Sequence, residues 1–345
     1  MVTAQHHEAG PAHANLARVR AKIDTSNNNG NCARSTLSMR LHPTGKFDNQ
    51  AAKYRHIDVK PLSAAMGAEV CGAQAAEVTD AQFEEIAHAL FRHKMIYLRD
   101  QALTHADHEA FSLRFGPFAE DAYTKGVRGH RNVHPLIKTA ADSSRMVFGE
   151  GWHTDSPFLS EPPAITTLRS VEIPPIGGDT TWANSALAYS MLSETYRRMI
   201  EGLKVHFSMR DVLKSAQEAV EISDSPIGRL ASTRNSARLS AGLLRKIKGN
   251  AHPIVRTHPV TGEKALYVDP SYGIGIEGMT PEESAPILRY LTEHLTQPVF
   301  GCRLSWEPAM LVLWDNRLCV HQAYNDYQGY RRELYRTTVR GEKPA

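Results

Sequence analysis

Apolar positions in this chain fall into short alternating runs, interrupted by a few helical periods, beginning near Tyr54. Ile57, Val59 and Leu62 alternate as a short strand, and Glu69-Val70-Cys71-Gly72 reads as another. Thr79 or Asp80 supplies an N-cap, after which Phe83, Ile86, Ala87, Leu90 and Phe91 recur at helical spacing. Met95-Ile96-Tyr97-Leu98 is a compact apolar run expected to form a central strand. Thr104 opens a second helix carrying Phe111, Leu113 and Phe115, which Gly116-Pro117 ends. Further strands are expected at 164–171, 180–184, 254–257, 265–268, 300–306, 310–315 and 334–340. A helix pair covers 187–203, and another helix starts at Thr280-Pro281 and runs to about Leu295. Residues 120–150 read as an irregular polar loop region of the kind that lines sites. The basic, weakly periodic stretch 208–250 reads as an excursion from the core and a candidate lid. Many short strands, helices outside them and no regular βαβ alternation predict a mainly β fold with flanking helices, a double-stranded β-helix or jelly roll.

Composition sharpens this picture at the N-terminus. Residues 1–52, with the polar run Asp24-Thr25-Ser26-Asn27-Asn28-Asn29-Gly30-Asn31, bury little and are expected to form a flexible extension before a single domain at 53–345. The formal charge of +3 is uneven, since residues 1–55 carry eight Lys/Arg against three Asp/Glu. No nucleic-acid motif accompanies that basic tail, and no nucleic-acid partner is expected. No apolar run reaches the roughly 18 residues of a membrane span. Cys32, Cys71, Cys302 and Cys319 are scattered without a C-x-x-C pair, which fits a reduced, cytoplasmic compartment.

The chemistry concentrates in Gly151-Trp152-His153-Thr154-Asp155-Ser156-Pro157-Phe158. On an extended strand His153 and Asp155 point to one face. Two histidines and a carboxylate on one face of an octahedral ion form the facial triad of non-haem iron oxygenases, leaving positions open. Among 17 histidines an H-x-D triplet also arises by chance. A second histidine, far along the chain, is therefore needed, and Trp314-Asp315-Asn316-Arg317-Leu318-Cys319-Val320-His321 offers one at the end of an apolar strand. On the last strand Arg332, Leu334 and Arg336 share a face. Two guanidiniums in one pocket call for anions, which a dicarboxylate co-substrate and an acidic substrate would supply. Solvation, or pairing with Glu333 or Asp326, accounts for the same charge pattern.

Five segments together resemble the taurine dioxygenase/2,4-D dioxygenase (TauD/TfdA) family of Fe(II)- and 2-oxoglutarate-dependent oxygenases. They are W-H-T-D at 152–155, G-G-D-T at 177–180, V-R-T-H-P-V-T-G at 255–262, W-D-N-R with His321, and R-R-E-L-Y-R at 331–336. The resemblance spans about 54 to 343. It implies iron ligands His153, Asp155 and His321, and 2-oxoglutarate held by Arg332 with the Thr180 hydroxyl. It also implies a substrate anion on Arg336, and Phe158 as an aromatic wall of the substrate pocket. A dimer or tetramer is implied as well. Gly149, where taurine enzymes carry a polar side chain, and the loop Glu120-Asp121-Ala122-Tyr123-Thr124 depart from the taurine pattern. The stretches 147–150 and 272–279 look closer to aryloxyalkanoate enzymes, so a small acid with an apolar body is the expected substrate. Hydroxylation would then lead to C–O or C–S cleavage for some acids. Sulfonates and alkyl sulfates are the alternative substrates, and a non-catalytic metal-binding protein is the alternative of another class. A zinc hydrolase lacks its H-E-x-x-H.

Overall fold

The computed structural model describes residues 45–121, 126–142, 149–212 and 241–345. In chain order its strands are β1 (Asp58–Pro61), β2 (Ala68–Cys71), β3 (Met95–Leu98), β4 (His134–Lys138), β5 (Pro163–Glu172), β6 (Thr180–Asn184) and β7 (Lys204–Phe207). They continue as β8 (Asn250–Pro253), β9 (Val255–Thr257), β10 (Lys264–Leu266), β11 (Gly273–Ile276), β12 (Gly301–Leu304), β13 (Leu311–Asp315), β14 (Cys319–Ala323) and β15 (Arg332–Arg340). The helices are α1 (Asp80–His93), α2 (His105–Leu113), α3 (Ser185–Ser190), α4 (Glu194–Ile200), α5 (Ala241–Lys248) and α6 (Pro281–Leu295). The fold is thus mainly β with flanking helices.

A seven-stranded sheet runs β1-β2-β3-β13-β5-β15-β4, and a three-stranded sheet runs β12-β6-β14. Strand alternation sorts side chains between two cores. Met95, Tyr97, Val312, Trp314, Leu168 and Leu334 face the small sheet and pack with its Trp182, Cys302, Leu304 and Cys319. Ile96, Leu98, Leu311, Leu313, Ile165 and Val339 face the other way, onto Phe83, Ile86, Leu90, Phe111 and Phe115 of the α1–α2 region. Each such fully buried side chain contributes about 1.5–3 kcal/mol. Thr79, Thr104 and Thr280 each close a capping box, with Gln82, Asp107 and Glu283, so all three helix starts are fixed locally. A third core joins α3 and α6 to the sheet β11-β7-β8.

Several elements depart from the sequence expectation, each for a physical reason. Residues 134–138, read as loop, form β4 at the edge of the large sheet; Pro135 obscures it, and an edge is where a strand tolerates a missing N–H. β11 is masked in sequence by Gly273 and Gly275, and β14 by the polar His321 and Gln322 inside it. The flanks of the 208–250 excursion belong to the core. Ser208 and Met209 are fully buried, and β8 pairs with β7. Its middle, 213–240, lies outside the described residues, as do 1–44. The chain is already packed before residue 53, because Asn49 is buried and its amide donates to the carbonyls of Ser63 and Gly67. No described helix is long and apolar enough to cross a membrane.

Two family segments prove to be one buried polar staple. His258 bonds Asp315, Asp315 pairs with Arg317, and Arg317 and Arg256 both reach Glu342. Burial, reinforced by Arg317, holds His258 at about 4, and burial holds His93 and His108 at about 3. These values lie below the unfolded imidazole value of about 6.5, so the unfolded chain takes up protons that the native state refuses. The stability they contribute is complete above pH ~6.5 and is lost as pH falls toward 4 and then 3, at about 1.4 kcal/mol per histidine per pH unit. The expected result is a urea-unfolding midpoint that drops steadily between pH 6.5 and 5 at fixed ionic strength. A flat midpoint over that range would show that these rings are protonated in the native state.

Candidate metal centre and co-substrate pocket

His153 and His321 form an isolated antiparallel bridge that brings the W-H-T-D segment against β14. Each donates its backbone N–H to the other's carbonyl, at 2.9 and 2.7 Å. This hydrogen-bonded pairing sets the two imidazoles side by side, with ring centroids 4.2 Å apart. Asp155, two residues on, shares their face, and one ligand atom from each of the three lies within 4.8 Å of the others. All three are buried.

Neighbouring groups fix this set before any ion arrives. His153 Nδ1 lies 2.7 Å from the carbonyl of Gly151, so it carries the proton and Nε2 keeps its lone pair. His321 Nδ1 is buried and finds no hydrogen-bond partner among the described residues. Burial lowers the pKa of both rings, well below the ordinary value for His321, and keeps them neutral. Burial alone would raise the Asp155 carboxyl, but the Arg336 guanidinium, helped by the Thr166 hydroxyl, holds the group below the usual range. Thr166 donates to Asp155 Oδ2. Asn316 receives the Asp155 N–H and donates to Thr166, so the family's W-D-N-R segment anchors the ligand strand from behind. Asp269 accepts the Thr154 N–H on the same strand. Sequence reasoning named neither Thr166 nor Asp269, because each acts from a distant strand or turn. Two neutral imidazoles and one anionic carboxylate, preoriented in a dry site, are a donor set for a divalent transition ion.

Gly149 takes φ +86°, and a Cβ there would stand 3.3 Å from His153 Cε1 and 3.7 Å from Nε2. The glycine that departs from the taurine pattern therefore leaves open space against the imidazole.

The two arginines of β15 lie on the sheet face that meets the small sheet, but their charges are met differently. Arg332 is buried, its Nε has no partner, and among the described residues it forms no ion pair. Burial lowers its pKa, with Tyr327 and Asp179 opposing. Its guanidinium lies over Trp306 and Tyr327, at 5.6 and 5.9 Å from the ring centroids. The G-G-D-T turn passes beneath it with φ +70° at Gly178, where a Cβ would sit 3.2 Å from Arg332 Nε. Trp306 Nε1 donates to Thr180 Oγ1 at 2.9 Å, which turns the Thr180 hydroxyl proton outward as a donor. An uncompensated buried guanidinium beside an oriented hydroxyl fits a carboxylate.

Arg336 instead meets two protein carboxylates, Asp155 at 3.2 Å and Asp121 at 2.6 Å. The expected substrate arginine is therefore already neutralised within the chain. Phe158 is fully buried and sits one ring behind Tyr272, at 5.3 Å; Tyr272 is the ring that edges His153, at 6.4 Å.

The family model described as "Taurine catabolism dioxygenase TauD, TfdA family" matches residues 58–338. An alpha-ketoglutarate-dependent sulfate ester dioxygenase of Pseudomonas putida is 32% identical over 84% of this chain and 91% of its own length. The (S)-phenoxypropionate/alpha-ketoglutarate-dioxygenase of Sphingobium herbicidovorans is 28% identical over 83% and 95%. A crystal structure of a taurine dioxygenase from Burkholderia xenovorans superposes with a TM-score of 0.68 at 35% identity, covering 84% of this chain and 93% of that one.

Proposed function

Because the chain belongs to the TauD/TfdA dioxygenase family and is an Fe(II)- and 2-oxoglutarate-dependent dioxygenase, we propose that it hydroxylates a small organic acid with an apolar body, aryloxyalkanoate-like. The observation that carries this reading is the buried Arg332, without an ion pair among the described residues, on the strand whose Arg336 touches the preassembled His153–Asp155–His321 set. In this reading the three side chains hold ferrous iron. Arg332 and Thr180 grip the far carboxylate of 2-oxoglutarate, and Arg336 serves the acid of the substrate. When bound, iron with 2-oxoglutarate and dioxygen supplies an oxidant able to take hydrogen from a C–H bond. The chain's part is to place that bond. Arg332 fixes the co-substrate by its fork, Trp306 orients the Thr180 hydroxyl, and Tyr272, backed by Phe158, gives the apolar substrate body a wall beside His153. Thr166 donates to the Asp155 carboxylate and Asn316 holds its backbone N–H, which aims it, and Arg336 keeps it ionised. For a hydroxylated carbon next to an ether oxygen, collapse of the hemiacetal completes C–O cleavage without a further catalytic group.

Sulfonates and alkyl sulfates are the second reading, favoured by the sulfate ester relative. The facing sheets with their shared Trp182–Trp314 core support a double-stranded β-helix, and the buried Asn49 supports a domain that begins ahead of residue 53. The unpaired Cys71, Cys302 and Cys319 support a reducing, cytoplasmic setting, and a homo-oligomer is the proposed assembly.

The test is succinate release from Fe(II), 2-oxoglutarate and oxygen over a panel of 2-phenoxypropionate, alkanesulfonates, alkyl sulfates and amino acids. Succinate above the substrate-free rate is expected with the aryloxy acid. No stimulation by any acid, with 2-oxoglutarate still bound, would instead support a non-catalytic binding protein.

A further inference from the structure

The dioxygenase reading asks Arg336 to receive the acid of a substrate, yet this position is filled from within. Arg336 Nη2 lies 2.6 Å from Asp121 Oδ2, and its other amino group lies 3.2 Å from Asp155. Side chains of Arg336 and Asp121 are 5% and 3% exposed. With Asp155 committed to the triad, Asp121 holds the position of the anion that Arg336 would otherwise offer to a ligand. A cavity of about 620 Å³ opens beside this pair, lined by Glu120, Asp121, Arg131, Asn132 and His134 among others. Asp121 lines it and Arg336 does not, so the carboxylate is the member of the pair that faces open space.

We propose that Asp121 is an internal counter-ion of Arg336 which the substrate's acid must displace, making Asp121 a specificity-determining residue. The exchange conserves charge at Arg336: one carboxylate leaves and another takes its place. Two partners are at hand for the released Asp121. His134 Nδ1 is 3.9 Å from it, and the Lys246 ammonium of α5 interacts with both Glu120 and Asp121. While paired, Asp121 gives the buried Arg336 a second carboxylate beside Asp155, so each of its two amino groups has an acceptor in the substrate-free protein. The same pairing sets a threshold that only an anion matching the fork can pass. Neutral analogues gain nothing by displacing it.

This inference rests on the proposed function, and the experiment separates the two. Calorimetry follows 2-phenoxypropionate, hexanesulfonate and neutral 2-phenoxypropanamide titrated into full-length protein loaded with Mn(II) and N-oxalylglycine, an inert 2-oxoglutarate analogue. Wild type, Asp121→Asn and Asp121→Ala are compared, with circular dichroism to check folding. Removing the internal competitor is expected to tighten binding of at least one acid by about tenfold or more, with the amide unmoved. The Ala variant reports the same effect if Asn misfolds. Unchanged or weaker acid binding in both folded variants, or no acid bound by either, overturns the proposal. Failure of wild type to bind N-oxalylglycine overturns the dioxygenase site itself.

Discussion

Replacing Arg332 with Met is expected to raise the KM for 2-oxoglutarate by roughly 30-fold to several thousand-fold, the ~2–5 kcal/mol cost of truncating one partner of a buried charge pair. The same substitution should make the ligand-free protein harder to unfold. The two effects have opposite signs because the guanidinium has no ion-pair partner among the described residues, and the co-substrate would supply one. In the ligand-free chain Arg332 is buried over Trp306 and Tyr327 with Nε unpartnered, so it carries a desolvation cost that Met would not. With the keto acid bound, that cost becomes the affinity. Thermal unfolding with and without 2-oxoglutarate, alongside steady-state kinetics, reads both. The wild type should show a large upward shift with co-substrate, and the Met variant a higher starting midpoint with a small shift. Arg332→Lys should restore part of the affinity, since it keeps the charge but loses the planar fork. A Met variant that is less stable without ligand and still shifts fully would mean Arg332 is a structural residue.

The contrast between Arg332 and Arg336 also shows what sequence carries and what it does not. The shared face of 332, 334 and 336 was legible because a strand has period two. Leu334 does point into the core between the sheets, as that periodicity requires. The H-x-D pair was legible for the same reason. Its partner His321 is legible because an apolar run precedes it, though β14 itself, with polar His321 and Gln322 inside it, shows no strand pattern. The partner of Arg336 was not legible. Asp121 lies 215 residues away in a stretch with no period, and nothing local tells a carboxylate that pairs inward from one that faces water. β4 hid behind Pro135, and β11 behind its glycines, since propensity argues against both while sheet pairing decides. Gly149 read as a departure from the taurine pattern; only the fold shows the imidazole it leaves uncovered.

Asp155→Ala is expected to abolish succinate formation and the metal-dependent rise in unfolding temperature together. Removing one of three ligands should cost more affinity than the roughly 10–100-fold typical of outer-shell partners. Thr166→Val, which deletes only the hydroxyl donating to Asp155, supplies that outer-shell comparison. The fold should survive the Ala change, because Arg336 keeps Asp121 as its counter-ion and the strand keeps the Thr154–Asp269 and Thr154–Asn316 hydrogen bonds. His321→Ala separates charge from coordination. It leaves Arg336–Asp155–Asp121 intact and removes only a neutral donor, so it should lose metal with little change in the stability of the metal-free protein. Anaerobic Fe(II) titration followed by tryptophan emission measures occupancy in each variant, since Trp314 lies 4.7 Å from the His321 ring. Were His321→Ala to retain wild-type iron affinity, the bridge between His153 and His321 would be a packing feature, and the metal would have to lie elsewhere.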